Sequence, residues 1–111
     1  MHFKHYQTEA AKTAVYPEDV SVTYPVLGLA SEAGEVAGKL KKIMRGDDNG
    51  NRHLDDDKVK AISAELGDCL WYIAAVCTDL GIDMGHVAWH NIHKLQDRQE
   101  AGTIKGDGDN R

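Results

Sequence analysis

The sequence has few of the features that mark secreted, membrane or nucleic-acid-binding proteins. Its 111 residues include two cysteines and two prolines, and 13 basic against 18 acidic residues give a net charge of −5. The chain has no run of about 18 apolar residues and no charged-then-apolar leader, so we expect neither a membrane span nor export. Without a basic stripe, a nucleic-acid polymer is not expected as a partner. A small anionic substrate fits this charge if a metal ion neutralises it.

The two cysteines, Cys69 and Cys77, lie in one predicted helix. At about 1.5 Å of rise per residue they are about 12 Å apart, which is too far for a disulfide. We therefore predict two buried free thiols, a reducing compartment and a cytoplasmic protein.

Apolar periodicity and breaker residues predict four helices, and no segment alternates as a strand would. The predicted helices cover about residues 2–16, 24–45, 55–80 and 83–100. This predicts one all-α domain over residues 1–101, followed by a Gly- and Asp-rich tail over residues 102–111. For the tail we favour a lid or subunit clasp in which Lys105 or Arg111 approaches a ligand, over a disordered end.

Two pairs of acids stand beside apolar residues: Glu32 and Glu35 in "GLASEAGEVAGKLKK", and Glu65 and Asp68 in "ISAELGDCLWYIAAVC". On a helical wheel each pair borders the apolar stripe of its helix, so packing by these stripes would place both pairs along one cleft. Four carboxylates in a partly dry cleft repel one another, and a hard cation such as Mg²⁺ or Mn²⁺ relieves that repulsion. Neither pair has the histidine of a di-iron site. The alternative is that each acid pair lies on a solvent-exposed side of its helix, with an ordinary ion pair between Glu35 and Lys39.

The fourth helix has Asn91 in the middle of its apolar stripe, flanked by Lys94 and Arg98. Either Asn91 is a buried core residue bonded to a backbone carbonyl, or the three side chains converge on an anionic ligand. Three histidines share the opposite face, and we predict a polar outer surface there rather than a zinc site. They are His86, His90 and His93.

The acid pairs "EAGE" and "ELGD", followed by "NIHKLQDR", resemble the MazG-like all-α nucleoside triphosphate pyrophosphohydrolases of the single-domain branch, over nearly the whole chain. The interval of 29 residues between Glu35 and Glu65 is long for that family, which predicts an insertion near the cleft. The resemblance implies a four-helix bundle-type fold completed by oligomerisation, as a homodimer or a dimer of dimers. It also implies Mg²⁺-dependent cleavage of a (deoxy)nucleoside triphosphate to the monophosphate and pyrophosphate, with Mn²⁺ as an alternative ion and nucleotide-pool house-cleaning as the role.

Carried over by position, the resemblance implies Mg²⁺ ligands at four acids, one of which would act as general base: Glu32, Glu35, Glu65 and Asp68. It implies phosphate contacts from Asn91 and Lys94. We add five further candidates for phosphate contacts: Lys39, Lys42, Arg98, Lys105 and Arg111. For Lys39 and Lys42, a role as ordinary solvent-exposed residues is an equal alternative. The residue that stacks the base stays open among Phe3, Trp71, Tyr72 and Trp89. A different class of function, a non-enzymatic helical interaction module, is favoured by "CLWYIAAVC", which is apolar nearly all round.

Overall fold

The computed structural model describes residues 1–110 and consists of four α-helices joined by turns. The helices are α1 (Phe3–Ala11), α2 (Thr23–Arg45), α3 (Asp56–Leu80) and α4 (Met84–Ala101), with a 3₁₀ turn at Glu18–Val20. The described residues contain one isolated β-bridge and no strand. The all-α prediction is confirmed, and completion of the bundle by oligomerisation stays a prediction.

Local capping signals determine where α3 and α4 begin and end. The Asp55 carboxylate accepts a hydrogen bond from the Lys58 amide at 3.1 Å, and the Asp83 carboxylate accepts one from the Gly85 amide at 2.7 Å. Both acids thereby satisfy amide groups that lack a partner in the first helical turn. Gly81 and Gly102 follow the last residues of the two helices with positive φ, which glycine adopts without strain.

Helix α1 is shorter than predicted, since it ends at Ala11 and not near residue 16. The next residues bond to α3 instead: Thr13 Oγ1 accepts a hydrogen bond from Trp71 Nε1 at 2.7 Å, and the Tyr16 hydroxyl donates to Asp79 at 2.7 Å. These partners are distant in sequence, so the apolar periodicity of the first segment could not show them, and the predicted end of α1 near residue 16 is wrong.

Helices α2 and α3 form the most extensive contact of the fold. They pack antiparallel, because Gly28 lies against Tyr72 whereas Lys39 lies near Glu65. The approach at Gly28 is close, since an added Cβ there would collide with the Tyr72 ring. Much of each apolar stripe stays outside this contact, because Val59 and Leu66 on α3 are 53% and 54% exposed. Leu40 and Met44 on α2 are also exposed. The expectation that the helices pack by their stripes is therefore correct only in part.

The core lies where α1, the C-terminal half of α3 and the start of α4 meet. Its buried members are Ala10, Ala74, Cys77 and Met84, and Tyr6, Leu70, Trp71 and Ile73 pack against them. Both cysteines are free thiols. Cys77 is buried as predicted, and this burial raises the pKa of its thiol, whereas Cys69 is half-buried.

A single chain leaves an unusually large surface in contact with solvent. Its radius of gyration is 17.3 Å, compared with about 13 Å for a compact domain of this length. Its accessible surface is 8094 Å², compared with about 6,100 Å² for a compact monomer of this mass. The extra area includes the exposed halves of the α2 and α3 stripes.

Helix α3 is also long and apolar enough to cross a membrane, judged by length and composition alone. The core helix of a soluble protein meets the same criterion, so one such helix is weak evidence for a span. The absence of a membrane span therefore stays a prediction.

Candidate active site

Three of the four predicted acids come together where α2 crosses α3. Glu32 on α2 and Glu65 and Asp68 on α3 each place a carboxylate oxygen within 4.8 Å of the other two. We call these three residues the acid cluster. The close approach at Gly28, one helical turn before Glu32, allows the two helices to bring these carboxylates together. Glu32 and Glu65 are half-buried and Asp68 is exposed, so the cluster is open to solvent on one side.

The acid cluster holds more negative charge than its surroundings balance. The pKa of Glu32 is raised, chiefly by a hydrogen bond with the Glu65 carboxyl, then by burial and by the negative charges of Asp68, Glu65 and Glu35. Lys39 Nζ lies 3.5 Å from Glu65 Oε1 and offsets part of this charge. Three converging carboxylate oxygens with an uncompensated charge are a donor set that suits a hard divalent cation.

Glu35, the fourth predicted acid, lies outside the acid cluster. It is exposed, although its charge is close enough to contribute to the raised pKa of Glu32. Lys42 is exposed as well, and its charge acts on Asp47 in the loop after α2, whose pKa is lowered chiefly by its hydrogen bond with Arg45. Of the two lysines predicted on α2, Lys39 is therefore the one that contacts the cluster.

Two tyrosines that the sequence analysis did not connect with the acids lie beside the acid cluster or close to it. The pKa of Tyr72 is raised by burial, by a hydrogen bond with Tyr24 and by the charges of Tyr24, Glu32 and Asp68. The pKa of Tyr6 is raised by burial and by the charge of Asp68. Since Tyr6 belongs to α1, its position depends on how α1 packs on α3, which helical periodicity does not show.

Tyr6 also lines a cavity of about 360 Å³ at the start of α1, together with Met1, His2, Phe3 and Leu70. Among the aromatic residues predicted to stack a base, Phe3 borders this cavity. Trp71 is bonded to Thr13 and packs against the core, and Trp89 stacks on His93 with ring centroids 3.7 Å apart.

Asn91 and Lys94 line a separate groove of about 750 Å³ on α4, and none of the four predicted acids lines it. Asn91 is exposed, so of its two alternatives the buried core residue is wrong, and a contact with an anionic ligand stays a prediction. The reason is that the stripe of α4 remains largely open: its neighbours Val87 and Leu95 are exposed too. In a single chain, the phosphate-contact residues predicted on α4 and the acid cluster therefore belong to different surfaces.

The C-terminal tail folds back on α4 through an acidic residue. Asp109 Oδ1 lies 3.0 Å from Lys94 Nζ and 2.9 Å from an Arg98 guanidinium nitrogen, and Arg98 is buried at 6% exposure. Lys105 is exposed, and Arg111 lies outside the described residues. The described tail thus meets α4 through a carboxylate, and the approach of a basic tail residue to a ligand stays a prediction.

The three histidines of α4 are exposed, as the prediction of a polar outer face required. His86 and His90 meet edge to face with centroids 6.5 Å apart. Within residues 1–110, the group of side chains placed to hold a metal ion is the acid cluster and not these histidines.

Comparison with known proteins gives a match to a family model and a match to a phage protein. The family model described as the MazG nucleotide pyrophosphohydrolase domain matches residues 22–103, which include α2, α3, α4 and all four acids. The chain is 39% identical over 117 residues to the "Gene 37 protein" of Mycobacterium phage L5, with all of both chains covered. No solved structure matches.

Proposed function

The chain belongs to the MazG nucleotide pyrophosphohydrolase domain family, and we propose that it hydrolyses a nucleoside triphosphate between the α and β phosphates, releasing the monophosphate and pyrophosphate. The observation that carries this proposal is the acid cluster, in which three carboxylate oxygens converge at a surface open to solvent. Among residues 1–110, the cation in contact with these carboxylates is Lys39, which pairs with Glu65. A magnesium triphosphate supplies a cation that offsets the charge of these carboxylates.

In this proposal Glu32, Glu65 and Asp68 hold Mg²⁺, or Mn²⁺ in its place. When bound, the ion offsets the charge of the triphosphate and polarises phosphorus toward attack by water. Lys39 then contacts a phosphate oxygen, because the ion takes over the role of neutralising Glu65. Asn91, Lys94 and Arg98 supply the remaining phosphate contacts.

Glu35 is the carboxylate best placed to accept the proton of the attacking water. It lies on the same helix one turn from Glu32, yet outside the group of converging oxygens, so its charge is not committed to the ion. This assigns distinct results to two variants. Glu35→Gln lowers kcat while Mg²⁺ binding persists, whereas Glu32→Gln weakens Mg²⁺ binding itself. If both variants lose Mg²⁺ binding equally, Glu35 is a ligand and not the base.

The base of the nucleotide fits the cavity lined by Phe3 and Tyr6. The charge of Asp68 acts on Tyr6, which lines this cavity, so the cavity lies close to the acid cluster. Aromatic side chains stack on nucleotide bases of any identity. Phe3→Ala is expected to raise KM for every nucleotide more than it lowers kcat. Equal KM values for Phe3→Ala and the wild type would place the base elsewhere.

A homodimer or a dimer of dimers completes the site. Support comes from about 2,000 Å² of surface beyond that of a compact monomer, which is within the range that obligate dimers bury. The exposed stripe residues supply its apolar centre. In such a dimer, α4 of one subunit contacts the acid cluster of the other subunit. If light scattering gives the mass of a single chain for a sample that hydrolyses the nucleotide, the dimer is removed from the proposal.

The deciding experiment resolves the products from a panel of canonical and modified nucleoside triphosphates, with Mg²⁺ and with EDTA. Monophosphate plus pyrophosphate, abolished by EDTA, supports the proposal, and the ranking of bases tests the house-cleaning role. Asp68→Asn is expected to lower the rate by orders of magnitude with its helical content retained. Glu100→Gln, which removes an exposed acid far along α4, serves as the matched control.

Diphosphate plus orthophosphate would indicate a different phosphoryl chemistry at the same acids. If no nucleotide is turned over, the alternative is a non-enzymatic helical interaction module in the cytoplasm. That alternative predicts that Asp68→Asn and Glu100→Gln associate with partners as the wild type does.

A further inference from the structure

We propose that Asp109 is an internal competitor for phosphate: the tail places this carboxylate on the cations of α4, and a bound triphosphate has to displace it. The inference rests on the proposed function, because it assumes that Lys94 and Arg98 contact substrate phosphates. It adds a regulatory contact within the same chain.

The geometry at Asp109 is that of an anion held by two donors. Lys94 Nζ and an Arg98 guanidinium nitrogen approach the same oxygen, Oδ1, at 3.0 and 2.9 Å. Arg98 is largely buried, so its charge is already desolvated and directed at this point. An ammonium and a guanidinium converging on one anionic oxygen is also how proteins bind a phosphate oxygen. The carboxylate therefore occupies the position that a phosphate would take.

The tail reaches this position because the chain reverses after α4. Gly102 ends the helix with φ of 71°, and Gly108, next to Asp109, has φ of 74°. The Gly108 carbonyl also accepts a hydrogen bond from Arg98, at a long 3.4 Å. The tail and α4 border a cavity of about 600 Å³, which the stacked Trp89 and His93 also line. Asp109 thus lines a space large enough for a ligand.

The contact is also weak enough to be displaced. The Asp109 side chain is 78% exposed, and Lys94 is partly exposed. Ion pairs of this kind have modest strength, and the two together favour the closed tail by about five-fold. A ligand that needs the open tail binds with an affinity reduced by the closed fraction. Removing the carboxylate is therefore expected to strengthen phosphate binding by about five-fold.

The test compares Asp109→Asn with Asp107→Asn, which makes the same change of charge in the same tail at an exposed acid. Binding of inorganic tripolyphosphate with Mg²⁺ is measured by calorimetry, and KM and kcat are measured for the best nucleotide. Asp109→Asn is expected to lower both Kd and KM by about five-fold with kcat little changed. Asp107→Asn is expected to match the wild type.

Three results would overturn the inference. Equal Kd and KM for Asp109→Asn and Asp107→Asn would show that the carboxylate does not compete, and a higher KM for Asp109→Asn would make the tail a lid that helps to hold substrate. Unchanged tripolyphosphate binding by Lys94→Ala would remove the α4 cations from the phosphate site. Failure of the proposed function is distinguishable, because no nucleotide would then be turned over while the tripolyphosphate measurement still decides the competition.

Discussion

The acid cluster leads to a prediction in which the order of two melting temperatures reverses when Mg²⁺ is added. In the metal-free protein, a hydrogen bond with the Glu65 carboxyl, burial and the charges of Asp68 and Glu65 raise the pKa of Glu32, so the charged form of Glu32 is disfavoured. Glu32→Gln keeps the size of the side chain and removes its charge. Without Mg²⁺ this variant is therefore expected to melt at a higher temperature than the wild type.

Magnesium is expected to reverse the order, because in the proposed function it binds the folded wild type and stabilises it. At about ten times its Kd, a ligand adds about 1.4 kcal/mol to the free energy of unfolding. For a domain of this size that corresponds to a rise of about 5 to 10 °C in melting temperature. Glu32→Gln, with one of three charged ligands removed, is expected to show little of this rise. Thermal unfolding followed by circular dichroism, with EDTA and with Mg²⁺, measures all four values.

The pH dependence gives the sign independently. Because the folded protein holds the Glu32 proton more tightly than the unfolded chain does, the repulsion is present above the raised pKa and disappears as pH falls through it. The advantage of Glu32→Gln in EDTA should therefore vanish at acid pH. A wild type that melts above Glu32→Gln in EDTA at neutral pH would refute the reasoning, because the cluster would then stabilise the fold without a cation.

Two further pairs of variants test which contacts hold the helices together. Gly28→Ala is expected to lower the melting temperature and the Mg²⁺ affinity because its Cβ meets the Tyr72 ring, whereas Gly34→Ala, with open space around its Cβ, gains about 1 kcal/mol of helix propensity. Asp79→Ala loses two hydrogen bonds from the segment that joins α1 to α2 and should cost about 3 kcal/mol in urea unfolding, with about half that for Tyr16→Phe. Burial and the bond to Asp79 raise the pKa of Tyr16 to about 12, so its contribution to stability is present below pH 10 and is lost as pH rises toward 12. Equal stability of Gly28→Ala and Gly34→Ala, or a Tyr16→Phe variant with an unchanged alkaline transition, would contradict these assignments.

The elements that could be predicted from the sequence are those fixed by neighbouring residues. Helix α3 begins after Asp55 and ends before Gly81, because an acid cap and a left-handed glycine act within one turn of the helix end. The end of α1 has no such signal. It is set by bonds from Thr13 and Tyr16 to α3, and only the packed structure contains them.

The candidate site divides in the same way. Periodicity placed Glu32, Glu65 and Asp68 beside the apolar stripes of two helices. One close crossing of these helices is enough to bring the three carboxylates together. It could not show whether α4 lies over the same crossing. That depends on which face of α4 is covered, and Asn91 proved to be exposed. Tyr6 was missed for the same reason, since its neighbour Asp68 belongs to another helix.

Both halves of the proposed site are partnered within the chain by groups of opposite charge. Lys39 pairs with Glu65 of the acid cluster, and Asp109 pairs with the cations of α4. A magnesium triphosphate carries both charges that these internal partners imitate, since its cation replaces the lysine and its phosphates replace the carboxylate. Each internal pair is partly exposed and therefore weak, so exchanging it for a multivalent ligand costs little. The same exchange explains why Glu65 and the cations of α4 can lie on separate surfaces of one chain and each still contact an opposite charge in the absence of substrate.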